Sequence, residues 1–99
     1  MKTSVSFEKD ICTVAISGRI DTLTAPALES VFREVSPKSD KVIFDMADVE
    51  YISSAGMRVL IIVHREMSAK GGFVLRHPTK NVMTILSLTG FDKVLNIEV

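Results

Sequence analysis

The chain has 99 residues, 46% of them hydrophobic, and its 12 basic and 12 acidic side chains give a formal net charge of zero. This length suits a single domain spanning residues 1–99, and a zero net charge excludes the overall positive field that holds proteins to nucleic acid or anionic membranes. Because the start MKTSVSFEKD is too polar for a signal peptide and the run MRVLIIV is too short to cross a bilayer, we expect a cytoplasmic protein with no nucleic-acid partner and no membrane insertion.

Two strand patterns open the chain. Val5 and Phe7 alternate with polar residues in SVSFEK, and ICTVAISG resumes the alternation after a charged pair, which predicts a hairpin. The single cysteine, Cys12, lies in the second pattern and has no intrachain partner for a disulfide, so we expect a buried strand residue. A helix is predicted over 25–35, with Thr24 as its candidate cap.

The rest of the chain alternates strands and helices. KVIFDM predicts a buried strand followed by a loop over 47–53, and a helix is predicted over 55–70. FVLRH predicts the next strand, Thr79 and Gly90 are expected to bound a third helix, and VLNIEV predicts a closing strand. The order β-β-α-β-α-β-α-β indicates an α/β fold with a small, mostly parallel sheet and an antiparallel hairpin strand at the amino terminus.

Binding sites of open parallel sheets collect at the carboxyl ends of the strands. Three loops have that position: 19–24, 46–54 and 77–79. The second contains the adjacent hydroxyls Ser53 and Ser54 just before the apolar run of a helix. One of these serines can cap the helix by accepting a hydrogen bond from a backbone amide of its first turn, but capping does not account for the pair.

Two chemical roles at these loops are disfavoured. A serine nucleophile needs a base and an oxyanion hole, yet His64 lies almost three turns along the same helix and His77 has no evident orienting carboxylate, so we expect no enzyme. We also expect no cofactor, and no metal because no cysteine or carboxylate stands at ligand spacing beside His64. A phosphate-accepting Asp45, as in receiver domains, would require an acidic pair after the first strand, which Ser17-Gly18-Arg19 does not provide. Asp45 is instead expected to bond backbone amides of the following loop.

The remaining role for a serine of the pair is that of a kinase acceptor. A phosphate at a helix start meets the positive end of the helix dipole, so the fold should tolerate it. We expect Ser54 to cap the helix and to be solvent-accessible. Because the first turns of this helix are apolar on two sides, we also expect Met57 to contribute to a partner surface.

These residues carry a resemblance to a known family. The segment DMADVEYISSAGM, residues 45–57, preceded by GRID at 18–21 and followed by Gly71-Gly72, resembles the STAS domain of bacterial anti-sigma factor antagonists over essentially the whole chain. The resemblance implies a partner-switching protein. It places the phosphorylated serine on Ser54, a loop aspartate on Asp21, and structural support on Asp45 and Gly56.

The partners follow from the same resemblance. In such systems the unphosphorylated antagonist binds an anti-sigma factor that is itself a serine kinase and so releases the sigma factor. Phosphorylation ends that binding, and a PP2C-type phosphatase restores it. The expected partner surface contains Asp21, Thr22, Ser53, Ser54 and Met57.

Two features leave alternatives open. Ser53 stands where the family usually has aspartate, which makes it the second candidate acceptor. STAS domains also serve as scaffolds without phosphorylation in lipid-transport or sensory complexes, and this is the alternative function.

Overall fold

The computed structural model describes residues 1–99 and contains five strands and three α-helices. In chain order they are β1 Lys2–Glu8, β2 Ile11–Ile20, α1 Ala25–Val35, β3 Lys41–Ile52, α2 Ser54–Met67, β4 Gly72–Arg76, α3 Lys80–Thr89 and β5 Ile97–Glu98. The strands form one sheet in the order β1-β2-β3-β4-β5. Only β1 and β2 pair antiparallel, and the other neighbours pair parallel. The predicted fold class and element order are confirmed.

One face of the sheet carries the core. Cys12, Val42 and Phe73 lie side by side on β2, β3 and β4, and all three belong to the single apolar cluster that also contains residues of every helix. The next row across the sheet, Thr13 beside Ile43, lies outside that cluster. The helices therefore cover the same face. Cys12 is fully buried, as predicted, and burial raises the pKa of its thiol.

The predicted loop over 47–53 is wrong because β3 continues to Ile52. The strand pairs with β2 as far as Ile20 beside Ile52, with register irregularities along the way, whereas its pairing with β4 ends at Asp45. The irregularities and the polar residues break the simple alternation that marks a strand. Met46 and Val49 are nevertheless fully buried in this extension, which carries the chain beyond β4 to the start of α2.

The helix boundaries are close to those predicted. Helix α1 has the predicted bounds, and Thr79 caps α3 by accepting a hydrogen bond from the Val82 amide at 3.3 Å. Gly90 ends α3 with φ of 78°, a left-handed conformation that glycine adopts without a steric penalty. Helix α2 ends at Met67 instead of residue 70, and β5 is only two residues long. None of the helices has the length and hydropathy needed to cross a membrane.

Candidate functional site

The two adjacent serines have different roles at the start of α2. Ser53 is the N-cap: its Oγ accepts a hydrogen bond from the Gly56 amide at 3.3 Å, and its carbonyl oxygen accepts one from the Met57 amide at 2.9 Å. The expectation that Ser54 caps the helix is therefore wrong. Ser54 is the first helical residue and is exposed, as predicted. The Ser54 hydroxyl therefore lies on the surface, while Ser53 stabilises the amino end of the helix.

The loop after β2 is closed by hydrogen bonds within itself. The Asp21 Oδ1 accepts from the amides of Leu23 and Thr24, both at 3.0 Å, while the Thr24 Oγ1 accepts from the Asp21 amide at 2.8 Å. The Thr24 hydroxyl also donates to the Arg19 carbonyl at 2.9 Å. Thr24 is the N-cap residue of α1, as predicted, but its side chain makes no capping hydrogen bond to the helix. It ties the loop to the end of β2 instead.

The carboxylate of Asp21 is stabilised by the loop that it organises. The hydrogen bond from the Thr24 amide is the largest of several effects that lower the pKa of Asp21 below its ordinary value of 3.8. A carboxyl group with a lowered pKa in the folded state stabilises the fold above its unfolded pKa, and this stabilisation is lost as the pH falls through the folded value. The hydrogen bonds to Asp21 therefore stabilise the loop most when the carboxyl group is ionised.

Asp21→Asn should remove this pH dependence while keeping the loop, because an amide oxygen accepts the same hydrogen bonds. Below about pH 4 the wild type should lose stability relative to the variant, and above about pH 5 the difference between them should be constant. Melting temperatures of both proteins from pH 2 to pH 7 measure the effect. Parallel curves over the whole range would show that Asp21 does not titrate with folding.

The loop and the start of α2 lie at the same end of the molecule. The Ser53 amide donates to the Ile20 carbonyl at 2.8 Å, which joins the end of β2 to the N-cap of α2. Gly56 permits this close packing, since a Cβ there would lie 2.7 Å from side-chain carbons of both Ile20 and Ile52. The structure thus brings Asp21, Ser53 and Ser54 to one region, with Gly56 as the support beneath them.

Met57 does not belong to the exposed part of this region. Its side chain is only 6% exposed and is part of the core cluster, with its Sδ 3.6 Å from the Thr89 hydroxyl of α3. Met57 therefore exposes little apolar surface of its own, and its contribution to a partner surface stays a prediction. Leu23, which sequence reasoning did not single out, is 88% exposed in the neighbouring loop.

A groove of about 630 Å³ runs along α2 from Ser54, between this helix and the segment that follows α3. We call it the α2–α3 groove. Its apolar lining includes Ile61, Ile62, Phe91 and Val94. No acidic side chain lines it, whereas three basic side chains do: Arg58, His64 and Arg65. The second apolar side of α2 was the only signal of this groove in the sequence, because its other wall comes from residues about thirty positions later.

A second, smaller groove of about 180 Å³ lies on the other side of α2, against α1. We call it the α1–α2 groove. Thr22 and Ala55 line it together with Arg58, which places the loop after β2 directly beside the first turns of α2. Arg58 lines both grooves and so lies on the ridge between them.

The other two sequence candidates lie at the end of the β3–β4 pairing. Asp45 accepts a hydrogen bond from the Ala47 amide at 3.1 Å, which confirms the predicted backbone role. The Nδ1 of His77 lies 3.9 Å from the Asp45 Oδ1, which is beyond hydrogen-bond distance, so this carboxylate lies near the ring without orienting it through a hydrogen bond. His64 lies in α2, where its Nδ1 is buried without a hydrogen-bond partner.

Known proteins share both the sequence pattern and the fold. The sequence profile of the STAS domain matches residues 2–99. The anti-sigma-F factor antagonist RsfB of Mycobacterium tuberculosis is 28% identical over 97 residues, which cover 95% of this chain and 78% of RsfB.

Solved structures of other proteins have the same fold. An anti-sigma factor antagonist from Mycobacterium paratuberculosis superposes with a TM-score of 0.88 at 28% identity, covering 98% of this chain and 84% of that one. The Bacillus anti-sigma factor antagonist SpoIIAA has a TM-score of 0.82 at 13% identity, with 99% and 89% of the two chains covered, and supports the fold alone. The match across almost the entire chain shows that this protein belongs to the STAS domain family.

Proposed function

We propose that this protein is an anti-sigma factor antagonist whose binding is switched by phosphorylation of Ser54. The names of its relatives support the first part of the proposal. The observation that carries the second part is the division of roles between the two serines. Ser53 holds the helix cap, so a phosphate on the exposed Ser54 leaves that cap in place.

The proposed switch works by an exchange of binding partners. The unphosphorylated protein binds an anti-sigma factor with serine kinase activity, and the sigma factor is released. Phosphorylation of Ser54 by that partner ends the complex, and a PP2C-type phosphatase restores the binding form. This protein itself contributes a surface and an acceptor hydroxyl, with no catalytic residue of its own.

The proposed partner surface consists of Asp21, Thr22, Ser53 and Ser54, joined by the exposed side chain of Leu23. The loop part of this surface is held by the hydrogen bonds of Asp21 and Thr24. A surface that is already ordered before binding loses little conformational entropy when the partner docks. Leu23 supplies exposed apolar area, and Met57 lies close by in the lining of the α2–α3 groove.

The acceptor is tested by incubating the purified protein with ATP and candidate serine kinases encoded near its gene. We expect one phosphate on the wild type and on Ser53→Ala, and none on Ser54→Ala, when the site is located by mass spectrometry of peptides. Ser53→Ala is the matched control, because it removes the neighbouring hydroxyl and its capping hydrogen bond while keeping the Ser54 hydroxyl. Phosphate found on Ser53 alone would overturn the assignment, and a protein that binds its partner without ever being phosphorylated would favour the scaffold function.

A further inference from the structure

Arg58 lies one helical turn after Ser54 on the exposed side of α2. Both side chains are exposed, and both line the α2–α3 groove. Residues four apart on a helix project from the same face, with about 6 Å of axial rise between them. The guanidinium of Arg58 is therefore within reach of a group attached to the Ser54 oxygen.

Arg58 has no ionic partner within the chain. The arginines that do form salt bridges are Arg33, with Glu29 and Glu66, and Arg76, with Glu98. Glu29 lines the α1–α2 groove beside Arg58, but its carboxylate is 3.3 Å from Arg33. The first turn of α2 contains no acidic residue. No carboxylate therefore competes with a new anion for Arg58.

Backbone donors at the start of α2 are partly occupied. The Gly56 amide donates to the Ser53 Oγ, and the Met57 amide donates to the Ser53 carbonyl. A side chain on the same face of the helix can supply donors to a phosphate on Ser54 in addition to the amides that remain. The planar guanidinium of arginine matches two phosphate oxygens with two parallel N–H donors.

We propose that Arg58 is the intrachain receptor for a phosphate on Ser54, which rests on the proposed modification of that serine. The phosphate dianion accepts two hydrogen bonds from the guanidinium and draws it toward the amino end of α2. Because Arg58 lies on the ridge between the two grooves, this movement changes the surface on both sides of the helix. The modification thereby alters charge and shape at the partner surface while the backbone stays in place.

The test uses the full chain with phosphoserine incorporated at position 54 during translation, so that no kinase is needed. Phosphorus NMR then measures the second pKa of the phosphate, which is ordinarily about 6. A guanidinium partner favours the dianion and lowers this pKa, so Arg58→Gln should raise it by about 0.3 unit. The effect should shrink as salt is added, because the pair is exposed.

Arg65→Gln is the matched control. Arg65 lines the same groove and carries the same charge, but it lies about 16 Å from Ser54 along the helix axis at about 1.5 Å per residue. Its replacement should shift the phosphate pKa by no more than about 0.1 unit, given the screening of exposed charges at that distance. Equal shifts for the two variants, or no shift for Arg58→Gln, would overturn the proposal. Since the titration uses no partner protein, its result is independent of whether phosphorylation controls binding.

Discussion

Ser54→Asp should abolish binding to the anti-sigma factor while leaving the fold intact. A negative charge at the first helical position interacts favourably with the helix dipole, and the side chain is exposed, so the free energy of unfolding should change by at most about 1 kcal/mol. Ser53 still supplies the cap through its hydrogen bond to the Gly56 amide. Thermal melting should therefore give nearly the same midpoint as the wild type.

Binding should respond far more strongly than folding. When the partner docks on Ser54, the added carboxylate must lose its water, and leaving it unpaired at an interface costs several kcal/mol. Pairing with Arg58 does not cancel this cost, because an ion pair must also be desolvated. A loss of about 3 kcal/mol corresponds to more than a hundredfold increase in Kd. Isothermal titration calorimetry against the purified anti-sigma factor measures this change in Kd.

Ser54→Asn separates charge from size in this experiment. Asparagine has nearly the shape of aspartate without its charge, so the Asn variant should bind within about tenfold of the wild type, and Ser54→Ala should bind constitutively. If the Asn variant were as weak as the Asp variant, steric exclusion would explain the loss. An Asp variant that binds as tightly as the wild type would remove Ser54 from the interface altogether.

Met57→Glu should have the largest effect on stability. The side chain is 6% exposed and packs among core residues between α2 and α3. The substitution removes apolar contacts and places a carboxylate among core residues, so we expect a loss of about 3 kcal/mol or more. For a domain of this size that lowers the melting temperature on the order of 15 °C.

The pH dependence of this variant identifies the cause. A buried carboxyl has a raised pKa, so the loss should be smallest below the unfolded value of about 4.3 and should grow as the pH rises through the folded value. Leu88→Glu is the matched control, because Leu88 also lies on a helix but is 82% exposed. That variant should melt close to the wild type. A Met57→Glu protein with wild-type stability would mean that Met57 is not part of the core.

Local chemistry by itself determined most of the fold. Alternating patterns predicted the opening hairpin, and Pro, Gly and hydroxyl residues bounded α1 and α3 correctly, because caps and turns depend on neighbours within a few positions. The motif at 45–57 placed the candidate site at the start of α2. The repeating order of strands and helices then implied a mostly parallel sheet, since parallel neighbours require crossover connections.

The tertiary structure decided what the residues of the site do. Two adjacent serines satisfy the same capping rule. The folded chain distinguishes them, because the Ser53 Oγ accepts from the Gly56 amide and the Ser53 amide donates to the Ile20 carbonyl of β2. The extension of β3 to Ile52 depends on its pairing with β2, a neighbour about thirty residues away. Met57 is buried because Thr89 and its neighbours pack over it. A helix that is apolar on two sides shows its exposed surface only when its packing partners are in place.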